Sequence, residues 1–326
     1  MIEYLAIFIP VISLFIYAAL FLIECGASVF MVWPKLLEGG ADVVRAQVTP
    51  IWEATNVFLV FAIISLIALF PGAMPAWGNA LIIPLFLFLA VVGIRVLGML
   101  YLFYKKGESR AMKAVLLVAN LLAPAVLVGG VIPFFLIGVL PYNASTWGLT
   151  IAIGLIDIAA AVLFGALFFN YVLAKRSRSA AASPSTPTTP EKHVPLRMLI
   201  LASLGCLLLF YILAELFLRT AAPHVFSWHI FIATAIAGII IFIAFVYMPS
   251  SKKIVAMIQL LLGALLFGVA YFTTVAAQLP YIIYPSFTIF NSFTDPQSAT
   301  ILLGICAAGL IIVIPSFALL YALFIA

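Results

Sequence analysis

Leu20-Phe21-Leu22-Ile23-Glu24-Cys25-Gly26 places one glutamate inside a long apolar run, and Thr49-Pro50-Ile51-Trp52-Glu53-Ala54-Thr55-Asn56 places a second at the edge of the next run. A charged side chain at the centre of a lipid bilayer costs about 2.5–3.5 kcal/mol on insertion scales, so such residues mark functional sites. Glu24 and Glu53 are therefore the first candidate site residues, and the apolar runs around them decide the fold.

The composition is that of a membrane protein. The chain has 326 residues, of which 67% are hydrophobic and 8% are charged, whereas soluble domains carry about 25% charged residues. A helix needs about 20 apolar residues to cross a bilayer. Nine runs meet this length, so the sequence predicts an all-α polytopic protein with about nine transmembrane helices, at residues 5–33, 50–71, 79–104, 112–140, 147–174, 196–218, 226–248, 253–277 and 298–325.

The basic residues predict the orientation of these helices. They cluster in alternate connections, and the connections between those hold only Arg219. Short cytoplasmic loops carry the excess of Lys and Arg, which predicts an N-terminus outside and a cytoplasmic C-terminus. The net charge of +5 therefore indicates membrane orientation and not nucleic-acid binding. The clustered residues are Lys35, Arg45, Lys105, Lys106, Arg110, Lys113, Lys175, Arg176, Arg178, Lys192, Arg197, Lys252 and Lys253.

Three ionisable residues are predicted to converge on the cytoplasmic half of the membrane. Glu24 lies late in a helix that runs inward, Glu53 lies in the first turn of the helix that returns, and Arg95 lies past the midpoint of the third. One interpretation is a proton-uptake path, because a partly buried carboxyl can take up and release a proton. The alternative is a structural ion pair of Arg95 with Glu24 that locks the helices together.

The sequence gives little support for a metal or haem on this chain. Cys25, Cys206 and Cys306 are far apart and have neither metal-ligand nor disulfide spacing. His224 and His229 are weak candidates for haem ligands near the outer surface. Their separation of five residues does not place them on one helical face, so the sequence predicts neither a catalytic residue nor a metal site.

Two connections differ from ordinary short loops. Residues 177–195 are rich in Ser, Thr, Pro and Ala and predict a flexible cytoplasmic linker. Residues 278–298 contain seven Pro and aromatic residues between positions 280 and 293 and no Lys or Arg. Aromatic residues favour the membrane interface, so this outer loop is expected to pack on the outer surface or to cap a partner.

Five short segments, taken in chain order, resemble subunit II of the cytochrome bd family of quinol oxidases. They are Glu24-Cys25-Gly26, the segment from Thr49 to Phe58, Arg95-Val96-Leu97-Gly98, the stretch from Leu279 to Ser286, and Ile314-Pro315 followed by Tyr321. The chain departs from that family at Ala27 and Ser28, which replace part of the first motif. It also has Glu53 in place of an aspartate and Phe58 in place of a tryptophan.

The resemblance implies an architecture and a set of partners. It implies two four-helix bundles, at 1–141 and 142–277, and a peripheral ninth helix after the outer loop, at 278–326. It implies a multi-pass protein of the prokaryotic cytoplasmic membrane, paired with a subunit I that carries haems b and d and the quinol site. This chain would be the non-catalytic subunit of that heterodimer in a respiratory chain, where Glu24, Glu53 and Arg95 contribute to proton delivery. A quinone or lipid could bind it, and a small accessory membrane subunit could join the complex.

Two other functions remain open from the sequence. The first is a stand-alone proton-coupled secondary transporter. Such transporters often contain matched helix breaks, but Pro84, Pro124, Pro133 and Pro315 form no evident matched pair. The second is an oxidase-like subunit that has lost its enzyme and assembles with another membrane complex, which the substitutions after Glu24 would allow.

Overall fold

A computed structural model of the chain describes residues 2–32, 40–105, 109–138, 143–181, 194–248 and 252–325. Within these ranges the chain forms nine α-helices and one two-stranded sheet. The helices are α1 (Ile2–Val32), α2 (Gly40–Leu69), α3 (Met74–Lys105), α4 (Arg110–Ile137), α5 (Ala144–Ala181), α6 (Val194–Ala221), α7 (Trp228–Tyr247), α8 (Lys253–Gln278) and α9 (Pro296–Ile325).

Each of the nine predicted runs coincides with one helix, which confirms the predicted fold class. Some helix ends differ from the predicted ones, because hydropathy does not locate the end of a helix that continues into polar residues. Helix α2 begins at Gly40, ten residues before the predicted start, because charged residues such as Arg45 lower hydropathy without opposing a helix. Helix α5 continues to Ala181, into the segment predicted as a linker at 177–195. Residues 182–193 of that segment lie outside the described residues.

Eight helices in the described ranges are long and apolar enough to cross a membrane. A ninth span results if residues 55–69 and 71–79 count as one broken segment, in which the two parts meet at 95°. A 3-10 turn at Pro71–Ala73 makes this bend, where proline has no N–H to continue the preceding helix.

Helix α5 is the centre of the molecule and the most deeply buried helix in the described part of the chain. It packs against α1, α4, α6 and α8. Gly26 and Gly165 lie so close that a Cβ atom on Gly165 would be 2.3 Å from the carbonyl carbon of Gly26. One turn further along both helices, the rings of Phe30 and Phe169 stack with centroids 5.6 Å apart. The two contacts share an offset of 139 residues, so α1 and α5 run parallel.

The outer loop folds onto the end of α4. It contains a short antiparallel hairpin, β1 (Tyr281–Ile283) and β2 (Phe287–Thr288), which the sequence did not predict. The amide of Tyr284 donates to the carbonyl of Phe135 (3.3 Å), and Nε2 of Gln278 donates to the same oxygen (2.8 Å). Asp295 then begins α9, because its Oδ1 accepts hydrogen bonds from the amides of Gln297 (3.1 Å) and Ser298 (2.9 Å).

Helix α9 lies at the edge of the molecule. It packs chiefly on α2, and most of its length is exposed within the chain. This agrees with the peripheral ninth helix that the resemblance implies. The division into bundles at 1–141 and 142–277 stays a prediction.

Candidate functional site

Glu24 and Arg95 form an ion pair inside the helical bundle. Nη2 of Arg95 contacts Oε1 of Glu24, and each side chain is only 1% exposed. The structure therefore brings together two of the three residues predicted to converge. An ion pair removed from water is marginal by itself, because the cost of desolvating both charges offsets much of their attraction. Further polar partners around the pair are needed to stabilise it.

Arg95 has such a partner on α4. Its Nε donates to Oδ1 of Asn120, and Nδ2 of Asn120 donates to the carbonyl of Leu116 (2.8 Å). Asn120 is fully buried. On the other side, the guanidinium carbon lies 5.9 Å from the centroid of the Phe21 ring, within range of a cation–π interaction. The arginine, on α3, is thus held by groups on two other helices, α1 and α4.

Two further side chains contact Glu24, one from the next turn of α1 and one from α2. Oγ of Ser28 donates to the carbonyl of Glu24 (2.8 Å), which ties the end of this buried turn together. Thr55 of α2 lies close enough to the Glu24 carboxylate to interact with it. The cluster of Glu24, Thr55, Arg95 and Asn120, called the polar cluster below, therefore joins all four of the first helices.

Sequence reasoning missed Asn120 and Thr55 as members of this cluster. Neither residue is ionisable, so neither is distinguished from ordinary polar residues in a membrane helix. The available signal was the number of donors on Arg95, since a guanidinium has five N–H groups and one carboxylate cannot satisfy them all. A buried arginine therefore requires a second acceptor on another helix.

The side chain of Glu53 lies outside the described residues. Its backbone belongs to α2, two residues before Thr55, which corresponds to about 3 Å of helical rise. Its role in a proton path stays a prediction.

The two histidines named as weak haem-ligand candidates lie in different elements. His224 lies in the connection before α7, whereas the exposed His229 lies in the first turn of that helix. The ring of His224 stacks on Tyr284 with centroids 3.6 Å apart and an interplanar angle of 13°. This stacking covers one face of the imidazole and ties it to the outer loop. Partial burial lowers the pKa of His224, although its proximity to Gln278 opposes this shift.

The described residues contain no cluster of three or more His, Cys, Asp or Glu side chains that could hold a metal ion. The polar cluster contains one group that can bind and release a proton, the carboxyl of Glu24. One carboxyl group faces a fixed positive charge, and the neighbouring hydroxyl and amide groups can donate or accept hydrogen bonds.

Comparisons with known proteins agree across the whole chain. The sequence profile of the family described as cytochrome bd terminal oxidase subunit II matches residues 2–324. A Bacillus subtilis (strain 168) protein, provisionally named cytochrome bd menaquinol oxidase subunit II, is 26% identical over 328 residues, which cover 95% of this chain and 92% of that protein. The fold is similar to a chain in the structure of bd oxidase from Geobacillus thermodenitrificans. That match has a TM-score of 0.77 and 22% identity, and it covers 99% of this chain and 98% of the other.

Proposed function

The chain belongs to the cytochrome bd terminal oxidase subunit II family, and from that premise we propose that it is the accessory subunit of a membrane quinol oxidase. In this proposal it supports a haem-bearing subunit I and supplies protons from the cytoplasm. The complex oxidises a quinol and reduces oxygen to water. Haems b and d belong to the partner, and no redox step takes place on this chain.

The observation that carries the proposal is the buried pair of Glu24 and Arg95. Oxygen reduction consumes protons, so a buried oxidase needs protonatable groups between the aqueous phase and its reaction centre. A carboxylate costs less to hold in the membrane when a fixed cation faces it. Arg95, held by Asn120, provides that cation for Glu24. Glu53, near the cytoplasmic end of α2 in the predicted orientation, would pass protons from the water to Glu24.

The first experiment tests the oxidase assignment. The tagged protein is purified from its native membrane in mild detergent, and a reduced-minus-oxidised spectrum is recorded. Haem b and d bands that co-purify with a second subunit are expected. A chain that is isolated alone and colourless, under conditions that retain other membrane complexes, would contradict the assignment.

The second experiment tests the proton path in the assembled oxidase. Glu24→Gln and Glu53→Gln are expected to slow quinol oxidation by about 10²-fold, the lower end of what a positioned proton donor contributes. Rates are compared per haem, because Glu24→Gln also leaves the Arg95 guanidinium buried and without its carboxylate, which lowers the yield of assembled oxidase. Glu215→Gln is the matched control, because it makes the same chemical change in the membrane helix α6. A purely structural ion pair predicts a different result: Glu24→Gln would reduce the yield of assembled oxidase and leave its rate per haem unaltered.

A further inference from the structure

Asp157 is a buried carboxyl group that the proposed function does not use. It lies near the middle of α5, the most deeply buried helix of the described chain, and is 4% exposed. Its Oδ2 is buried and has no hydrogen-bond partner among the described residues. Buried carboxylates are normally paired or bind a metal, and Asp157 lies within the described part of the chain, where no metal-binding cluster occurs. The position therefore requires another explanation.

The face of α5 that carries Asp157 points into the junction of α1, α4 and α5. Residues 154, 157, 161 and 165 recur at spacings of three and four, so they lie along one face. At one end of this row, a Cβ atom on Gly154 would lie 3.6 Å from Cβ of Ala125 on α4. At the other end, a Cβ atom on Gly26 of α1 would lie 1.9 Å from the carbonyl oxygen of Ala161. Asp157 lies between these two contacts.

The packing also fixes the depth of Asp157 relative to the polar cluster. Helices α1 and α5 run parallel, and residues at the same level differ by 139 in number. Asp157 therefore lies at the level of residue 18 of α1. This is six residues, or about 9 Å, from the level of Glu24. Helix α4 runs antiparallel to α5 with Ala125 facing Gly154, so Asp157 lies at the level of residue 122, about 3 Å from the level of Asn120.

Helix α4 contains a proline near this depth. Proline 124 lies inside α4 and has no N–H. It cannot donate the usual helical hydrogen bond to the carbonyl of Asn120, four residues earlier. The side chain of the same residue accepts a hydrogen bond from Arg95. Asn120 thus contributes its side chain to the ion pair, and its carbonyl lacks the hydrogen bond that residue 124 would donate in a regular helix.

We propose that Asp157 is a second proton-holding carboxyl, which extends the polar cluster of Glu24, Arg95 and Asn120 from α4 to α5. The carboxylate binds one proton to become a carboxylic acid and later releases the same proton, with no change in any other bond or in electron count. The burial and the missing charged partner of Asp157 suit this role, because the neutral acid needs no counter-ion in the membrane. The inference rests on the proposed function, in which Glu24 lies on a proton path.

The test uses the assembled oxidase with Asp157→Asn, Asp157→Glu and Glu24→Gln. Infrared difference spectra between the oxidised and reduced enzyme report carboxylic acids through their C=O stretching band. We expect a band in the unaltered protein that is lost in Asp157→Asn and shifted in Asp157→Glu. We also expect Asp157→Asn to slow quinol oxidation by about 10²-fold at unchanged haem content, and Asp157→Glu to retain most of the rate.

The outcomes separate this inference from the proposed function. If Glu24→Gln slows turnover while Asp157→Asn alters neither the rate nor the band, the role of Asp157 is refuted and the path through Glu24 stands. If neither variant slows turnover, both are refuted. If Asp157→Asn slows quinol oxidation but leaves the infrared band unchanged, the inference is also refuted, because the effect of the substitution is then structural. If the oxidase with Asp157→Asn does not assemble, the infrared band of Asp157→Glu provides the test. A band at the same position as in the unaltered protein then refutes the role of Asp157.

Discussion

Replacement of Gly26 by alanine should force α1 away from α5. An added Cβ atom at this position would lie 1.9 Å from the carbonyl oxygen of Ala161, and 2.7 and 2.8 Å from N and Cα of Gly165. Ordinary van der Waals contact begins at 3.4 Å, so the helices must separate by about 1.5 Å, the difference between 3.4 and 1.9 Å. The obstructing atoms are backbone atoms in a helix, which cannot rotate away as a side chain would.

The expected cost is that of overpacking a well-filled interior, about 1–3 kcal/mol. We expect the upper end of this range, because a shift of α1 also separates the stacked rings of Phe30 and Phe169, whose centroids lie 5.6 Å apart. The shift would move Glu24 as well, since it lies two residues from Gly26. Quinol oxidation per haem should therefore fall together with stability.

The assay is reversible unfolding of the purified protein in detergent, followed by helical circular dichroism. Gly205→Ala on α6 is the matched control, because no atom lies within 4 Å of the added methyl group. Alanine is favoured over glycine in a helix by about 1 kcal/mol, so this control should be neutral or slightly stabilised. Equal stability of the two variants would refute the close approach of α1 and α5.

Three other predictions concern charge. Arg95→Gln should destabilise the protein by about 3–5 kcal/mol, because it leaves the Glu24 carboxylate buried and unpaired, and the double variant with Glu24→Gln should recover most of this loss in unfolding measurements. The pKa of His224 is lower in the folded protein, so the unfolded chain binds more protons at this residue. The contribution of His224 to stability should therefore be complete above about pH 6.5, the pKa of an unperturbed histidine, and be lost as the pH falls through the pKa of the folded state. The hydrogen bonds that cap α9 lower the pKa of Asp295. The contribution of Asp295 to stability should therefore be present above the pKa of an unfolded aspartate, about 3.9, and be lost on acidification. Asp295→Asn should remove this part of the acid transition.

Each of the three has a direct check. A double variant of Arg95 and Glu24 no more stable than Arg95→Gln alone would show that the unpaired charge is not the cause. Unfolding of His224→Gln should lose the pH dependence below 6.5, whereas the exposed His229→Gln should keep it. If Asp295→Asn unfolds on acidification with the same profile as the unaltered protein, the cap of α9 contributes nothing.

The helices could be predicted from the sequence because the bilayer imposes a length on each apolar run. The pairing of Glu24 with Arg95 was also accessible, since two opposite charges at similar depth in a membrane rarely remain apart. The rotation of each helix was not predictable. Nearly every face of these helices is apolar, so no polar stripe distinguishes the inside from the outside. Packing contacts such as that of Gly26 with Gly165 decide it instead.

The parts that were missed depend on contacts distant in the sequence. The hairpin at Tyr281–Ile283 and Phe287–Thr288 is too short to leave an alternating pattern, and it is held by hydrogen bonds to Phe135 at the end of α4. The stacking of His224 on Tyr284 joins residues sixty positions apart in the sequence. Asn120 belongs to the polar cluster only because α3 and α4 pack side by side.

The ion pair between α1 and α3 also constrains how the protein is synthesised and inserted into the membrane. Glu24 leaves the ribosome 71 residues before Arg95, and synthesis at 5–20 residues per second makes that interval roughly 4–14 s. During this time the first helix carries a carboxyl group whose partner arginine has not yet been made. It must wait protonated, or beside the insertion machinery, until α3 arrives. A slow step in translation between α1 and α3 would therefore prolong the most vulnerable stage of assembly.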